Sequence, residues 1–100
     1  MNIGASIKAM RERVGMKQND LAKRVNITAP YLSLIEAGKR EPSAGTIDQI
    51  ATALGVPGEV MLFMGLEREQ VPEAKRGLFD AIHTPIKAMV TEIFISPTKS

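Results

Sequence analysis

The chain has 100 residues, of which 44% are hydrophobic and 24% charged, with a formal net charge of +2, a composition that excludes a disordered chain and indicates one small globular domain. It has no cysteine, which excludes disulfides and thiolate metal sites, and no segment approaches the ~20 apolar residues of a membrane-spanning helix. The amino terminus has no signal-peptide pattern, so we expect a soluble cytoplasmic protein without a membrane partner.

Positive charge is concentrated in the first 40 residues. This segment carries eight basic and three acidic side chains, a net +5, whereas residues 41–100 carry five basic and eight acidic ones, a net −3. Cations grouped in one part of a compact chain attract phosphates, although a solvated helical face is an equally good explanation of the charge alone.

The first three predicted helices follow one another closely. Apolar residues recur every three or four positions and predict a helix of about eleven residues: Ile3, Ile7, Met10 and Val14. Gly15 ends this helix, and a second short helix follows over about residues 18–25. Asn26 tolerates the left-handed backbone of a tight turn, and Thr28 can cap a third helix over about residues 29–37.

Two more helices complete the amino-terminal part. Ser43 is predicted to cap a fourth helix, which ends before the break at residues 55–58. Residues 59–64 predict a short fifth helix of unusually apolar composition. No segment has the pattern of a strand, so the predicted fold class is all-α.

The last third of the chain has a second apolar pattern. After a polar connector at residues 67–70, Pro72 fits the first turn of a sixth helix. Apolar residues then follow at spacings of three and four: Phe79, Ile82, Ile86, Met89 and Ile93. Because proline disrupts a helix interior, Thr84 and Pro85 predict the start of a separate helix, which gives two helices in this region.

Helices two and three, joined by a short turn and followed by basic residues, have the arrangement of a helix-turn-helix motif. Three runs, residues 18–22, 28–43 and 50–56, resemble the Cro and phage-repressor (Xre-type) family of DNA-binding domains, and the resemblance covers about residues 3–65. It implies a five-helix lambda-repressor-like domain. Residues 66–95 would add one or two carboxyl-terminal helices, and residues 96–100 a tail.

The resemblance also implies a function and a set of site residues. Helix three would enter the major groove of double-stranded DNA, as in a transcriptional regulator, more often a repressor than an activator. The matching DNA-binding positions are Lys17, Gln18, Thr28, Ala29, Pro30, Tyr31, Ser33, Leu34, Lys39 and Arg40. Gln18 would hold a phosphate and help to position helix three, and free amides at the start of helix four could add another phosphate contact. Arg11 and Glu36 match positions that form an ion pair.

The sequence departs from the family where bases are contacted. Ala29 and Pro30 stand where Gln, Arg, Asn or Ser is common, and neither can make paired hydrogen bonds to base edges. Direct contact is left to Ala29 or Leu34 against a thymine methyl group, to the Tyr31 hydroxyl or to Ser33. Lys17 replaces the usual Ser or Thr cap of helix two. We therefore expect largely electrostatic affinity and a sequence preference that depends partly on DNA shape.

The carboxyl-terminal apolar seam has three interpretations. It can fold back on its own core, pair with a second copy of the chain, or bind another protein, as in antitoxins and accessory regulators of this family. We favour the homodimer, with an interface drawn from Phe63, Phe79, Ile82, Ile86, Met89, Val90 and Ile93. A two-fold dimer would set two recognition helices about 34 Å apart on a palindromic site.

The sequence predicts no catalytic or metal site. His83 is the sole histidine, and only Thr84 is a nearby hydroxyl that could complete a triad with Asp80. We interpret His83 and Asp80 as a pair on a helix surface. Phosphate-binding loops, dinucleotide fingerprints and multi-histidine metal sets do not occur. We therefore predict that the chain is not an enzyme and needs no cofactor.

Overall fold

The computed structural model describes residues 3–95, except the side chain of Ile95, and the regular structure in this range is helical, as predicted. The α-helices are α1 (Ile3–Arg13), α2 (Gln18–Arg24), α3 (Ala29–Glu36), α4 (Ala44–Leu54), α5 (Gly58–Met64) and α6 (Arg76–Val90). Two 3₁₀ turns, Arg68–Gln70 and Glu73–Lys75, precede α6, and a π-helical turn, Thr91–Ile95, follows it. The predicted tail at residues 96–100 lies outside the described residues. Among those described, no helix by itself has the length and hydrophobicity to cross a membrane, and only α4 with α5, bent by 100°, meet that criterion as a pair.

The ends of α3 and α4 are fixed by the predicted local signals. Asn26 has a φ of 57° and is the one non-glycine residue with a positive φ in the described range. Thr28 Oγ1 accepts a hydrogen bond from the Tyr31 amide at 3.2 Å, and Ser43 Oγ accepts one from the Thr46 amide at 3.1 Å. These bonds satisfy amides that the first turn of each helix leaves without a partner.

The five helices α1 to α5 together form the hydrophobic core. Each of them contributes at least one of the largest fully buried side chains: Ile7, Met10, Leu21, Leu32, Ile35, Ile50 and Met61. Helix α1 meets α3 at Gly4, where an added Cβ atom would fall on the carbonyl oxygen of Ile35. Because α3 rests directly on the α1 backbone at this point, the core fixes which face of α3 points to solvent.

Helix α6 folds back on the five-helix domain through His83. The buried imidazole lies between Phe63 and Phe79, with centroid distances of 4.7 and 4.5 Å, and its Nε2 is 3.2 Å from the carbonyl oxygen of Phe63. The predicted surface pair with Asp80 is therefore wrong. The imidazole stacks on the Phe79 ring and packs against the tilted Phe63 ring, while Asp80 pairs with Arg68 at 2.9 Å.

The predicted division of this region into two helices is also wrong, because α6 continues through Pro85. A proline has no amide hydrogen for the helical bond to the carbonyl of Ala81, and its ring also crowds that carbonyl. Both residues are exposed, and water can bond that carbonyl. The α-helix ends instead at Val90, and the Thr91 hydroxyl donates to the carbonyl of Lys87 at 2.8 Å.

Candidate nucleic-acid interface

A buried ion pair holds the carboxyl end of α3. The Glu36 carboxylate accepts hydrogen bonds from Arg11 Nε at 2.8 Å and from Arg11 Nη2 at 3.0 Å. Both side chains are buried, and Arg11 Nη1 also donates to the carbonyl of Met16 at 2.9 Å. This is the pair that the family resemblance implies. It connects α1 and the turn after it to the last residue of α3.

The charge of Arg11 is secured by this pairing. The hydrogen bond to Glu36 raises the pKa of the guanidinium above its ordinary value, while burial acts in the opposite direction. The two-point geometry suits a planar guanidinium and a carboxylate. Arg11 therefore remains charged, and the ion pair acts as a brace that supports α3 from its buried side.

Gln18 joins the same brace. Its Nε2 donates to Glu36 Oε1 at 3.0 Å, so the first residue of α2 contacts the last residue of α3. An amide nitrogen carries two hydrogens, and this bond uses one of them. A phosphate bound by the second hydrogen would be linked directly to the position of α3. The family resemblance implied that Gln18 holds a phosphate and helps to position helix three, but it did not identify Glu36 as the partner of Gln18.

The outward face of α3 is small and carries no charge. Its exposed residues are Pro30, Ser33 and Leu34, of which Leu34 keeps 39% of its surface exposed, and the exposed Ala37 directly after α3 continues this face. The sequence also placed Ala29 and Tyr31 on this face, but both are half-buried and pack against the core. Ala37 was not predicted, although it lies three residues after Leu34, the spacing of neighbours on one helix face.

Exposed cations flank the helix-turn-helix. Lys39 and Arg40 are exposed in the loop after α3, and Lys17 is exposed before α2, where its side chain makes no capping bond. The guanidinium carbon of Arg40 lies 5.7 Å from the centroid of the Tyr31 ring, within the range of a cation–π interaction. The amides of Lys39 and Arg40 both donate to the carbonyl of Leu34, at 2.9 and 3.3 Å. The basic loop is therefore tied to the outward face of α3.

This arrangement can bind a polyanion. A helix with small exposed side chains can approach another surface closely, and the neighbouring cations can contact phosphate oxygens. Within residues 3–95, no group of three His, Asp or Glu side chains is placed to hold a metal ion.

A protein-family model described as helix-turn-helix matches residues 7–60, which is more than half of the chain. The chain belongs to the Xre-type helix-turn-helix family. The predicted resemblance to Cro and phage-repressor domains is thereby confirmed. Members of this family are DNA-binding transcriptional regulators, which are not an enzyme class.

Similar proteins share this helix-turn-helix region. An uncharacterized HTH-type transcriptional regulator of Mycobacterium tuberculosis is 43% identical over 58 residues, which are 58% of this chain and 41% of that protein. The HTH-type transcriptional repressor RghR of Bacillus subtilis is 35% identical over 75 residues, which are 74% of this chain and 56% of that protein. The chain thus spans about half the length of these curated relatives.

A solved structure shares the fold over more than the five-helix domain. The crystal structure of the clp gene regulator ClgR from Corynebacterium glutamicum matches with a TM-score of 0.63 and 21% sequence identity. The match covers 92% of this chain and 90% of that one, so it extends beyond α5 into the carboxyl-terminal region.

Proposed function

We propose that the chain is a sequence-specific regulator of transcription that binds double-stranded DNA as a homodimer, with α3 in the major groove. The observation that carries this proposal is the placement of α3. The Arg11–Glu36 pair braces its inner side, and its small outward face lies beside the cations of Lys39 and Arg40. The name of the Bacillus subtilis relative, a transcriptional repressor, supports repression as the mode of regulation. A DNA target favours the cytoplasm as the location.

Helix α6 supplies the surface for the second copy. Its charged residues, Arg76, Asp80 and Lys87, lie on one side of the helix. The other side, which we call the α6 outer face, carries eight exposed residues without a charge: Gly77, Leu78, Ala81, Ile82, Thr84, Pro85, Ala88 and Met89. Leu78, Ile82 and Met89 are 62%, 45% and 55% exposed. An apolar face of this length on a soluble helix is typical of an interface.

The shape of the α6 outer face suits a copy of itself. Ala81 and Ala88 lie seven residues apart beside larger apolar side chains, so two such helices can approach closely with large residues opposite small ones. A two-fold interface uses the same patch on both chains, so the α6 outer face of one chain would meet that of the other. The α6 outer face therefore favours a homodimer over a partner of different shape.

We restrict the proposed interface to the exposed members of the predicted set. Phe63 and Phe79 pack against His83, and Val90 packs against the core of its own domain. Ile86 is half-buried, whereas Ile82, Met89 and Ile93 are exposed. The apolar seam is therefore wide enough to serve two contacts. Its buried side packs α6 against its own domain, and its exposed side is available to a second chain.

Binding to duplex DNA is expected to weaken steeply as salt concentration rises. Each phosphate contact contributes about −0.9 to the slope of log K against log salt. Replacing Lys39 or Arg40 with alanine should reduce the magnitude of this slope by about one, because each substitution removes one phosphate contact. The measurement is fluorescence anisotropy with a labelled random-sequence duplex at several salt concentrations.

The matched control is Lys75→Ala, which removes an exposed cation from the 3₁₀ turn before α6. This variant should keep the slope of the original chain. A slope near zero for the unaltered protein would contradict the electrostatic part of the proposal. An equal reduction of the slope in Lys39→Ala, Arg40→Ala and Lys75→Ala would contradict it as well.

A further inference from the structure

We infer that Pro30 and Leu34 select thymine through its C5 methyl group. We call these two residues the apolar tip of α3. The inference rests on the proposed major-groove function and names the base that the groove-facing helix recognises. It follows from the side chains that the outward face of α3 exposes and from the backbone hydrogen bonds that connect this face to the basic loop.

The outward face of α3 has few side chains that could recognise a base by hydrogen bonding. The donor and acceptor pattern of the major groove identifies bases, and paired bonds require long polar side chains such as Gln, Asn or Arg. Of the four exposed side chains, only Ser33 carries a polar atom. Tyr31 is half-buried beneath the Arg40 guanidinium, and Ala29 packs against the core. Most of the surface that α3 presents is therefore carbon.

Apolar surface in the major groove has one good partner. Thymine alone among the four bases projects a methyl group there, and apolar side chains contact it. Pro30 and Leu34 are four residues apart, so their side chains are neighbours on one face of α3. Leu34 is 39% exposed, and a thymine methyl would bury part of that surface. The apolar tip is thus complementary to the methyl group.

The backbone ties the apolar tip to the cations that bind phosphate. The carbonyl of Leu34 accepts the amides of Lys39 and Arg40, at 2.9 and 3.3 Å. When the Lys39 and Arg40 side chains bind phosphates, they fix the distance between Leu34 and the DNA backbone. A methyl contact depends on such a fixed distance, because dispersion attraction falls steeply as a gap opens.

The test replaces thymine with uracil, which differs only by the absent methyl group. A duplex recovered by selection from random DNA is resynthesised with uracil at each thymine in turn, and its affinity for the full chain is measured by fluorescence anisotropy. We expect about a fourfold loss for each contacted methyl, at one or two positions in each half-site. Leu34→Ala should bring the ratio of thymine to uracil affinity close to one at the leucine-contacted position.

The control is Leu62→Ala, because Leu62 on α5 has nearly the same exposure, 40%, but lies outside the proposed interface. This variant should keep the preference for thymine. The inference is overturned if no position responds to uracil, or if Leu34→Ala leaves the response unchanged. A selection that recovers no preferred duplex would instead overturn the proposed function itself, so the two failures are distinguishable.

Discussion

Replacing Arg11 with methionine is expected to lower the free energy of unfolding by about 3–5 kcal/mol, because it leaves a buried charge without its partner. The Glu36 carboxylate would lose two of its three described hydrogen bonds and keep only that from Gln18. The carbonyl of Met16 would also lose a donor. Domains of this size have a total stability of about 5–15 kcal/mol, so much of it would be lost. Urea denaturation followed by circular dichroism measures the change.

The control uses the exposed ion pair of the same protein. Arg68 and Asp80 are about half-exposed, so Arg68→Gln should cost less than about 1 kcal/mol. The double variant Arg11→Met with Glu36→Leu should recover part of the loss, because no unpaired charge remains buried. Equal destabilisation by the Arg11 and Arg68 variants would contradict the structural role assigned to the buried pair.

The contribution of Arg11 does not depend on pH in the neutral range. Its pKa is raised in the folded chain, so the stabilisation is complete below the ordinary pKa of the group and is lost only as pH rises above it. A loss of stability from Arg11 titration is therefore expected only in strongly alkaline solution.

The second large effect concerns Ile82 on the α6 outer face. Replacing it with glutamate should convert the proposed homodimer to a monomer, because the interface would bury a carboxylate in an apolar surface. Joining two DNA-binding helices raises overall affinity by about 10²–10⁴-fold, so the monomer should bind a selected palindromic duplex at least about 100-fold more weakly. Light scattering gives the oligomeric state, and fluorescence anisotropy gives the affinity.

Leu62→Glu is the matched control, because it places the same charge at a similarly exposed leucine on α5. It should leave the dimer intact. A dimer that survives Ile82→Glu would show that α6 does not form the interface. Purification of the original chain with a stoichiometric second protein would instead favour the alternative function, a module that binds another protein through α6.

Most of the five-helix domain follows from local sequence signals. A capping hydroxyl at Thr28 or Ser43 and the left-handed turn at Asn26 depend on residues within a few positions, so they are visible in the sequence. The same holds for the apolar spacing that forms the core. These signals place the ends of α1 to α5 within about two residues of those in the structure.

The carboxyl-terminal region was less predictable because its structure depends on distant contacts. Pro85 would end a helix by its local preference, but on the exposed side of α6 water can bond the carbonyl that the missing amide leaves without a partner. His83 becomes buried only because Phe63 of another helix supplies a ring and a carbonyl. No periodicity within α6 could distinguish the edge of the seam that faces the domain from the edge that faces solvent.

The candidate nucleic-acid interface likewise combines features that local sequence predicts with features that depend on distant contacts. The helix-turn-helix spacing and the basic loop after α3 are sequence patterns, and they located the helix-turn-helix region that the family model matches. The bond between Gln18 and Glu36 and the position of Arg40 over Tyr31 join residues that are not neighbours in the motif. These contacts hold the end of α3 and the basic loop after it in place, and they could be found only in the folded chain.

Selection of binding sites from random duplex DNA at two salt concentrations tests dimeric recognition by α3 most directly. We expect a palindrome whose half-sites are centred about 34 Å apart, or 10–10.5 base pairs, with the same consensus at both salt concentrations and weaker binding at the higher one. Recovery of no preferred sequence, or of a single half-site without a symmetric copy, would contradict recognition of DNA by a two-fold pair of α3 helices.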